Sequence, residues 1–259
     1  MEHAGTKQTP VTRRAFLAGA GGFLAGAALG SRLFSAVGLA APAQPEPPAW
    51  PWTYVPLDPE VVRRKGYEGY FEGGCCYGAA EAILSELREK VGYPFTGIPS
   101  DMFRYGAGGA AGWGTLCGAL NGAAAVINLV TTQADCNAIV NELFGWYCET
   151  ALPTEKSQGF GPANTTSVAS SPLCHVSLSR WADAEGVKIN SPEKKQRCGK
   201  LTGDVAARAV ELLNAWQAGK FVAAYQPPES VAECQTCHGP EGLDDAHGKM
   251  DCVQCHQPH

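Results

Sequence analysis

The sequence predicts a mainly α-helical body followed by a short, irregular C-terminal segment. Apolar residues recur at helical spacing between residues 59 and 225, whereas the alternation typical of strands is scarce. Beyond Gln226-Pro227-Pro228, apolar residues nearly disappear. The C-terminal segment therefore cannot form a core by itself, and we expect it to lean on the body or on a second chain.

Helix signals divide the body into segments. Asp58-Pro59-Glu60 combines an N-cap residue with proline in the first turn, so a helical pattern begins there. The apolar spacing then predicts helices over 73–91, 115–130 and 135–150, a short helix that follows Leu173-Cys174-His175 within 172–186, and a last one from Ser191 to about residue 217. The glycine-rich stretch 105–114 lacks the Lys-Ser/Thr ending of a phosphate loop, so we interpret it as a tight backbone wrap around a buried group.

Length and charge limit the possible functions. The chain has 259 residues, which allow one well-cored domain with a small appendage. The net charge is −5, and four basic residues lie in the first 43 positions, so the remaining chain is still more acidic. Electrostatics therefore exclude nucleic acid and anionic lipid as partners and favour redox proteins with a basic docking patch.

The N-terminus predicts export. Thr12-Arg13-Arg14-Ala15-Phe16-Leu17 is a twin-arginine motif, an apolar run follows to Gly30, and Ala41-Pro42-Ala43 offers a cleavage site. We expect residues 1–43 to be a signal peptide, the mature protein to be periplasmic, and no stable membrane anchor to remain after cleavage. An uncleaved anchor is the alternative. Residues 44–58 form a proline-rich lead-in that lies along the body or acts as a tether.

Two pentads near the C-terminus indicate covalent haem. They are Cys234-Gln-Thr-Cys237-His238 and Cys252-Val-Gln-Cys255-His256. Two thiols three positions apart can each add to a vinyl group of one porphyrin, and the following His lies under the iron. We therefore predict two haem c groups on residues 226–259, with His238 and His256 as proximal ligands. A zinc site made from the four pentad cysteines is the alternative.

Distal haem ligands must come from the few remaining histidines. His3 leaves with the signal peptide, which leaves His175, His247 and His259. His175 follows Cys174 in a body loop, and His259 can reach a neighbouring ring more easily than its own. We predict His175 and His259 as distal ligands, with His247 in reserve, and Met250 as the alternative type of ligand.

Seven cysteines lie outside the pentads, and an odd number argues against a fully paired disulfide framework. Several stand near predicted helix ends, where they could converge on one iron–sulfur cluster. The predicted ligands are Cys76, Cys117, Cys148 and Cys198, with Cys75 in reserve. Buried free thiols, or one or two disulfides, are the alternatives.

These residues resemble a known family. Cys76, Cys117-Gly-Ala-x-x-Gly122, Cys148 and Cys198 resemble the redox proteins named for the pattern C…GCAxxG…C…C. Joined to Leu173-Cys174-His175-Val176-Ser177 and to the two pentads, the pattern resembles the split-Soret cytochromes c. The sequence departs from the pattern in its Cys-Gly-Ala order and in the Cys75-Cys76 doublet, and it leaves Cys136 and Cys174 unassigned.

The resemblance implies a homodimer with haems clustered at one end. The two rings of each subunit would be close and nearly parallel, with bis-His irons whose ligands can be exchanged between subunits. It also implies an additional iron–sulfur centre in the helical domain, residues 59–225, for which we favour the [2Fe-2S] type. It supports His175 as a distal ligand and the four predicted thiols as cluster ligands.

The combined interpretation is an exported dihaem electron-transfer protein rather than an enzyme. If His fills both axial positions, the iron has no open site for a substrate. The alternatives are a haem and iron–sulfur oxidoreductase that acts on a small molecule, and a docking subunit stabilised by its haems.

Overall fold

The structure, a computed structural model, describes residues 46–246 and 248–259. The predicted signal peptide and the reserve ligand His247 lie outside this part. The described chain contains six α-helices, which confirms the prediction of a mainly α fold. They are α1 (Pro59–Lys90), α2 (Gly118–Val130), α3 (Gln133–Glu149), α4 (Cys174–Glu185), α5 (Pro192–Gln217) and α6 (Glu229–His238).

Strand structure is minimal in the described residues. Two-residue strands, β1 (Ala151–Leu152) and β2 (Ser167–Val168), pair antiparallel with Ala151 opposite Val168. Four short 3-10 turns complete the regular structure, at Phe95–Gly97, Ser100–Gly106, Glu155–Ser157 and Cys252–Gln254. Residues 47–259 form one compact unit.

Helix α1 begins after the N-cap residue Asp58 and is interrupted at Gly74. The Asp58 carboxylate accepts a hydrogen bond from the Glu60 amide (2.8 Å), which caps the helix. At Gly74 the backbone leaves the helical region, with φ 84° and ψ 177°. An L-residue rarely adopts this φ, so Gly74 allows the chain to change direction directly before Cys75.

Helices α1 and α5 pack with their backbones in direct contact. A Cβ placed on Gly66 would lie 2.9 Å from Gly203 Cα, so the two backbones meet without a side chain between them. Beside this crossing, the buried Arg63 guanidinium pairs with the buried Asp204 carboxylate. Asp204 also accepts hydrogen bonds from the Thr154 amide (2.7 Å) and the Ser157 hydroxyl (3.0 Å). The polar cluster fixes the position of α5 on α1.

Helices α2 and α3 complete the core around the second half of α1. Ile83 and Leu87 of α1 are fully buried, as are Leu120 of α2 and Ile139 of α3. The proline-rich lead-in lies on this body, because the Trp52 amide donates to the Leu129 carbonyl (2.9 Å).

Polar contacts hold the end of the body and the C-terminal segment. The Glu142 carboxylate of α3 accepts hydrogen bonds from the Ala224 and Tyr225 amides (2.6 and 2.5 Å). Further along, the Gln254 side chain donates to the Ser170 carbonyl (2.8 Å). Among the described residues of 226–259, only Val231 and one glycine are buried, which agrees with the lack of apolar residues in this segment.

In the described ranges, no helix has the length and apolar character needed to cross a bilayer.

Candidate metal and haem sites

Four cysteine side chains line one cavity of about 470 Å³ in the helical body. They come from four different elements. Cys75 opens the second half of α1, Cys117 is the N-cap residue of α2, Cys174 is the first residue of α4, and Cys198 lies in the second turn of α5. We call this site the thiol cavity. Its construction from four elements means that it exists only in the folded body.

The thiols of the cavity are close enough to raise one another's pKa. Burial raises the pKa of Cys75, and the charges of Cys117, Cys198 and Cys174 raise it further. Burial also raises the pKa of Cys174 to about 12, again with contributions from Cys117 and Cys198. The two thiols therefore stay protonated at neutral pH unless a cation stabilises their anionic forms.

Backbone contacts bring Cys174 to Cys117. Leu116 and Leu173 form an isolated antiparallel bridge, and the Cys174 amide donates to the Thr115 carbonyl (2.7 Å). The glycine-rich loop covers this junction. Gly109 has φ 68°, and a Cβ there would lie 2.9 Å from Cys174 Cβ. The loop can pass this close to the cysteine only because a glycine stands at this position.

Gly118 makes room for Cys75. A Cβ on Gly118 would lie 2.5 Å from Cys75 Sγ and 3.1 Å from the Cys76 amide nitrogen. The Cys117-Gly-Ala order of this sequence is therefore compatible with the cavity, because the glycine at the start of α2 allows the second half of α1 to pass close by.

The cavity also contains a buried cation. The Arg197 guanidinium lines it with only 3% of the residue exposed, and Arg197 Nε is buried without a hydrogen-bond partner. A buried charge with an unsatisfied donor is costly unless an anionic group faces it. Four thiols beside a buried cation without a carboxylate partner fit an iron–thiolate centre, because such a centre is held by cysteine thiolates and carries negative charge.

The four thiols line the same cavity, but their sulfur atoms are not arranged around a common centre. Within the described part of the chain, no three His, Cys, Asp or Glu side chains form a group with metal-binding geometry. Binding iron at the cavity would therefore require changes of cysteine rotamer.

The ligand set that the geometry supports differs from the predicted one. The structure brings together Cys117 and Cys198, as predicted, and adds the reserve residue Cys75 and the unassigned residue Cys174. Cys76 does not line the cavity, because neighbouring helical residues project about 100° apart around the axis. Its pKa is raised to about 11 by burial and by Cys117 alone among the thiols.

Cys148 lies on another surface of the body. It lines a second cavity, of about 870 Å³, between α3 and the C-terminal segment, together with Phe144, Tyr225 and Met250. Burial raises the pKa of Cys148 to about 12. Cys136 is buried on α3, away from both cavities. We therefore leave Cys76, Cys136 and Cys148 out of the proposed iron ligands.

The two pentads lie against each other. Cys234, Cys237 and His238 occupy the C-terminal half of α6, a helix that the sequence analysis did not single out. The second pentad starts in the 3-10 turn Cys252–Gln254. The Gln235 side chain donates to the Gly248 carbonyl (2.7 Å) and the Ser230 hydroxyl to the Asp251 carboxylate (3.0 Å), so the segments that carry the two pentads are direct neighbours.

The predicted distal ligands lie in different places. The His259 ring lies 5.7 Å from the His238 ring, centroid to centroid, with an angle of 75° between the planes. The exposed His175 lies at the thiol cavity instead, where its amide donates to the Gly114 carbonyl (3.0 Å). None of its recorded contacts within the described chain involves a pentad. His256 is exposed as well.

Metal affinity of the thiol cavity is expected to rise with pH. The raised pKa values of Cys75 and Cys174 mean that metal binding must release their protons, so each released proton strengthens binding by up to about tenfold per pH unit below the thiol pKa. Zn²⁺ titration of the metal-free protein between pH 6 and 8, by calorimetry in two buffers, measures both affinity and proton release. The Cys174→Ser variant should release about one proton fewer. An affinity independent of pH would contradict the assignment.

Comparisons with known proteins agree on one family. The model described as "Putative redox-active protein (C_GCAxxG_C_C)" matches residues 77–212. The chain is 36% identical to the split-Soret cytochrome c of Desulfovibrio desulfuricans (strain ATCC 27774 / DSM 6949 / MB) over 263 aligned residues, covering 95% of this chain and 94% of that protein. A solved structure, described as "A novel iron centre in the split-Soret cytochrome c from Desulfovibrio desulfuricans ATCC 27774", matches with a TM-score of 0.72 and 36% identity, covering 80% of this chain and 91% of that one. The chain therefore belongs to the split-Soret cytochrome c family and is a cytochrome-type redox protein.

Proposed function

We propose that this protein is a periplasmic electron carrier with two haem c groups and one iron–sulfur centre per chain. The observation that carries the proposal is the presence, in one compact unit, of two adjoining haem-attachment pentads and a four-thiol cavity. The printed description of the related structure, which names an iron centre in a split-Soret cytochrome c, supports the iron site.

The iron–sulfur centre is assigned to the thiol cavity. Cys75, Cys117, Cys174 and Cys198 would hold it, and a [2Fe-2S] cluster bound by four thiolates suits this ligand count. When bound, the cluster supplies one-electron redox chemistry. The body contributes a site beside buried side chains and the positive charge of Arg197, and burial and nearby charge are among the factors that set the potential of such a centre.

The haems are assigned to the C-terminal segment. Cys234, Cys237, Cys252 and Cys255 would attach them, with His238 and His256 as proximal ligands. The proximity of His259 to His238 favours His259 as the distal ligand of the first haem. Haem supplies one-electron chemistry, and closure of both axial positions by His leaves no place for a substrate.

His175 is proposed to act across a homodimer. Its ring is exposed at the thiol cavity, and its recorded contacts involve neither pentad of its own chain. A second copy could present a haem to it, as the exchange of axial ligands in this family implies.

The partners are proposed to be other exported redox proteins. The twin-arginine motif supports export of a protein that has already folded around a cluster, and the acidic body favours docking to a basic patch. Nothing in this charge pattern favours nucleic acid or a membrane surface.

One anaerobic preparation tests the proposal. We expect two haems for every chain, one for each pentad, together with additional iron and acid-labile sulfide. Carbon monoxide added to the reduced protein should leave the spectrum unchanged, because His occupies both axial sites. Total iron equal to haem iron, with no sulfide, would refute the cluster. Immediate binding of carbon monoxide would favour a small-molecule oxidoreductase instead.

A further inference from the structure

Arg197 differs from the other buried arginine of the body. It stands on α5 directly before Cys198, and the residue is 3% exposed. Its guanidinium donates to the Ser177 hydroxyl (2.7 Å) and lies 5.8 Å from the centre of the Trp181 ring. These contacts fix the side chain in one orientation, facing the thiol cavity.

No carboxylate neutralises this charge. Among the described residues, Asp and Glu oxygens lie within ion-pair distance of Arg63 but not of Arg197. Arg197 Nε, moreover, is buried without a hydrogen-bond partner. Cys117, Cys174 and Cys198 line the same cavity as Arg197. The positive charge of Arg197 is therefore neutralised only when a negatively charged group occupies the cavity.

An iron centre with four thiolate ligands provides this negative charge. Its charge becomes more negative on reduction, so a fixed cation stabilises the reduced form more than the oxidised form and raises the reduction potential. Burial strengthens the effect, because the effective dielectric constant near buried groups is about 20 rather than about 80. A charge exposed at the rim acts through water and is screened by salt.

We propose that Arg197 is the counter-charge of the iron–thiolate centre in the thiol cavity, a positioning residue that raises the reduction potential of this centre and helps to retain the iron. The proposal rests on the proposed function of the cavity and adds a residue that holds no iron itself. Ser177 contributes by orienting the guanidinium through its hydroxyl and carbonyl oxygens.

The decisive comparison is between Arg197→Gln and Lys195→Gln. Both variants remove one positive charge at the same cavity, but Lys195 is exposed. Redox titration of the anaerobic holoprotein, followed by electron paramagnetic resonance, gives the potential of the non-haem centre. We expect Arg197→Gln to lower it clearly more than Lys195→Gln does, because the effective dielectric constant is lower around a buried charge. Arg197→Lys keeps the charge and should stay close to wild type.

A second readout separates this role from a purely structural one. In cluster-free protein the Arg197 charge is uncompensated, so Arg197→Met should raise the melting temperature, because apolar replacement of a buried ion is often stabilising. In loaded protein the same variant should release its non-haem iron to a chelator faster than wild type. A structural arginine would instead lower the melting temperature in both states. Arg197→Met also serves for the titration if Arg197→Gln does not fold.

The outcomes distinguish the inference from the proposed function. A wild-type protein with iron and sulfide whose potential and iron retention do not change in Arg197→Gln or Arg197→Met would overturn the role of Arg197 and leave the cluster standing. A wild-type protein without non-haem iron would overturn both. A selective fall in potential, with Lys195→Gln nearly unchanged, would support both.

Discussion

Replacing Cys75 by serine is expected to abolish binding of the non-haem iron, whereas replacing the adjacent Cys76 should leave it in place. Only Cys75 of this doublet lines the thiol cavity, and the break at Gly74 aims it there. A serine hydroxyl ionises far less readily than a thiol, so it would not replace a thiolate ligand at neutral pH. Non-haem iron and acid-labile sulfide per chain give the measurement.

The neighbouring variant is the control. Both residues are buried, so loss of packing affects Cys75→Ser and Cys76→Ser similarly, and haem content should be unchanged in each. A second pair repeats the comparison on other elements, because Cys174→Ser should lose the iron and Cys148→Ser should keep it. Loss of iron in Cys76→Ser and Cys148→Ser, with retention in the other two, would restore the ligand set predicted from the sequence.

Local signals in the sequence predicted the helices well. The Asp58 cap and Pro59 determine the start of α1, and the backbone break at Gly74 lies one residue from the predicted helix start. Each of these features depends on a residue and its immediate neighbours, since capping and left-handed backbone are local properties. The helical spacing of apolar residues then sufficed for the fold class.

The choice among thiols could not be made in the same way. Cys75 and Cys76 carry the same local signal, and only the direction of the chain after Gly74 separates them. Cys174 reaches Cys117 through the bridge between Leu116 and Leu173, a contact across more than fifty residues. Such pairings depend on the tertiary fold. The position of a cysteine near a helix end therefore does not determine which cysteines meet in one site.

The C-terminal segment also combines a property that the sequence predicted with contacts that only the tertiary fold determines. Its composition predicted that it has no core, and in the structure it rests on the body through polar contacts. The sequence did not indicate that Glu142 would bind the backbone amides of Ala224 and Tyr225 directly before this segment, because a glutamate side chain normally faces water.

Removing the buried carboxylate of Asp204 is expected to cost about 3–5 kcal/mol of unfolding free energy. The Asp204→Ala change leaves the Arg63 guanidinium inside the body with only the half-exposed Glu60 as its partner. It also removes the acceptor for the Thr154 amide and the Ser157 hydroxyl. Urea unfolding of the haem-loaded protein, followed by far-ultraviolet circular dichroism, measures the difference.

The comparison with Glu60→Ala isolates the effect of burial. Glu60 also pairs with Arg63, but its side chain is 54% exposed, so its loss should cost no more than about 1 kcal/mol. Equal losses in the two variants would argue against a buried ion pair between α1 and α5. Because Cys75 lies on α1 and Cys198 on α5, the pair also fixes the spacing of two proposed ligands. Asp204→Ala should therefore lose non-haem iron to a chelator faster than Glu60→Ala, at urea concentrations where both variants remain folded.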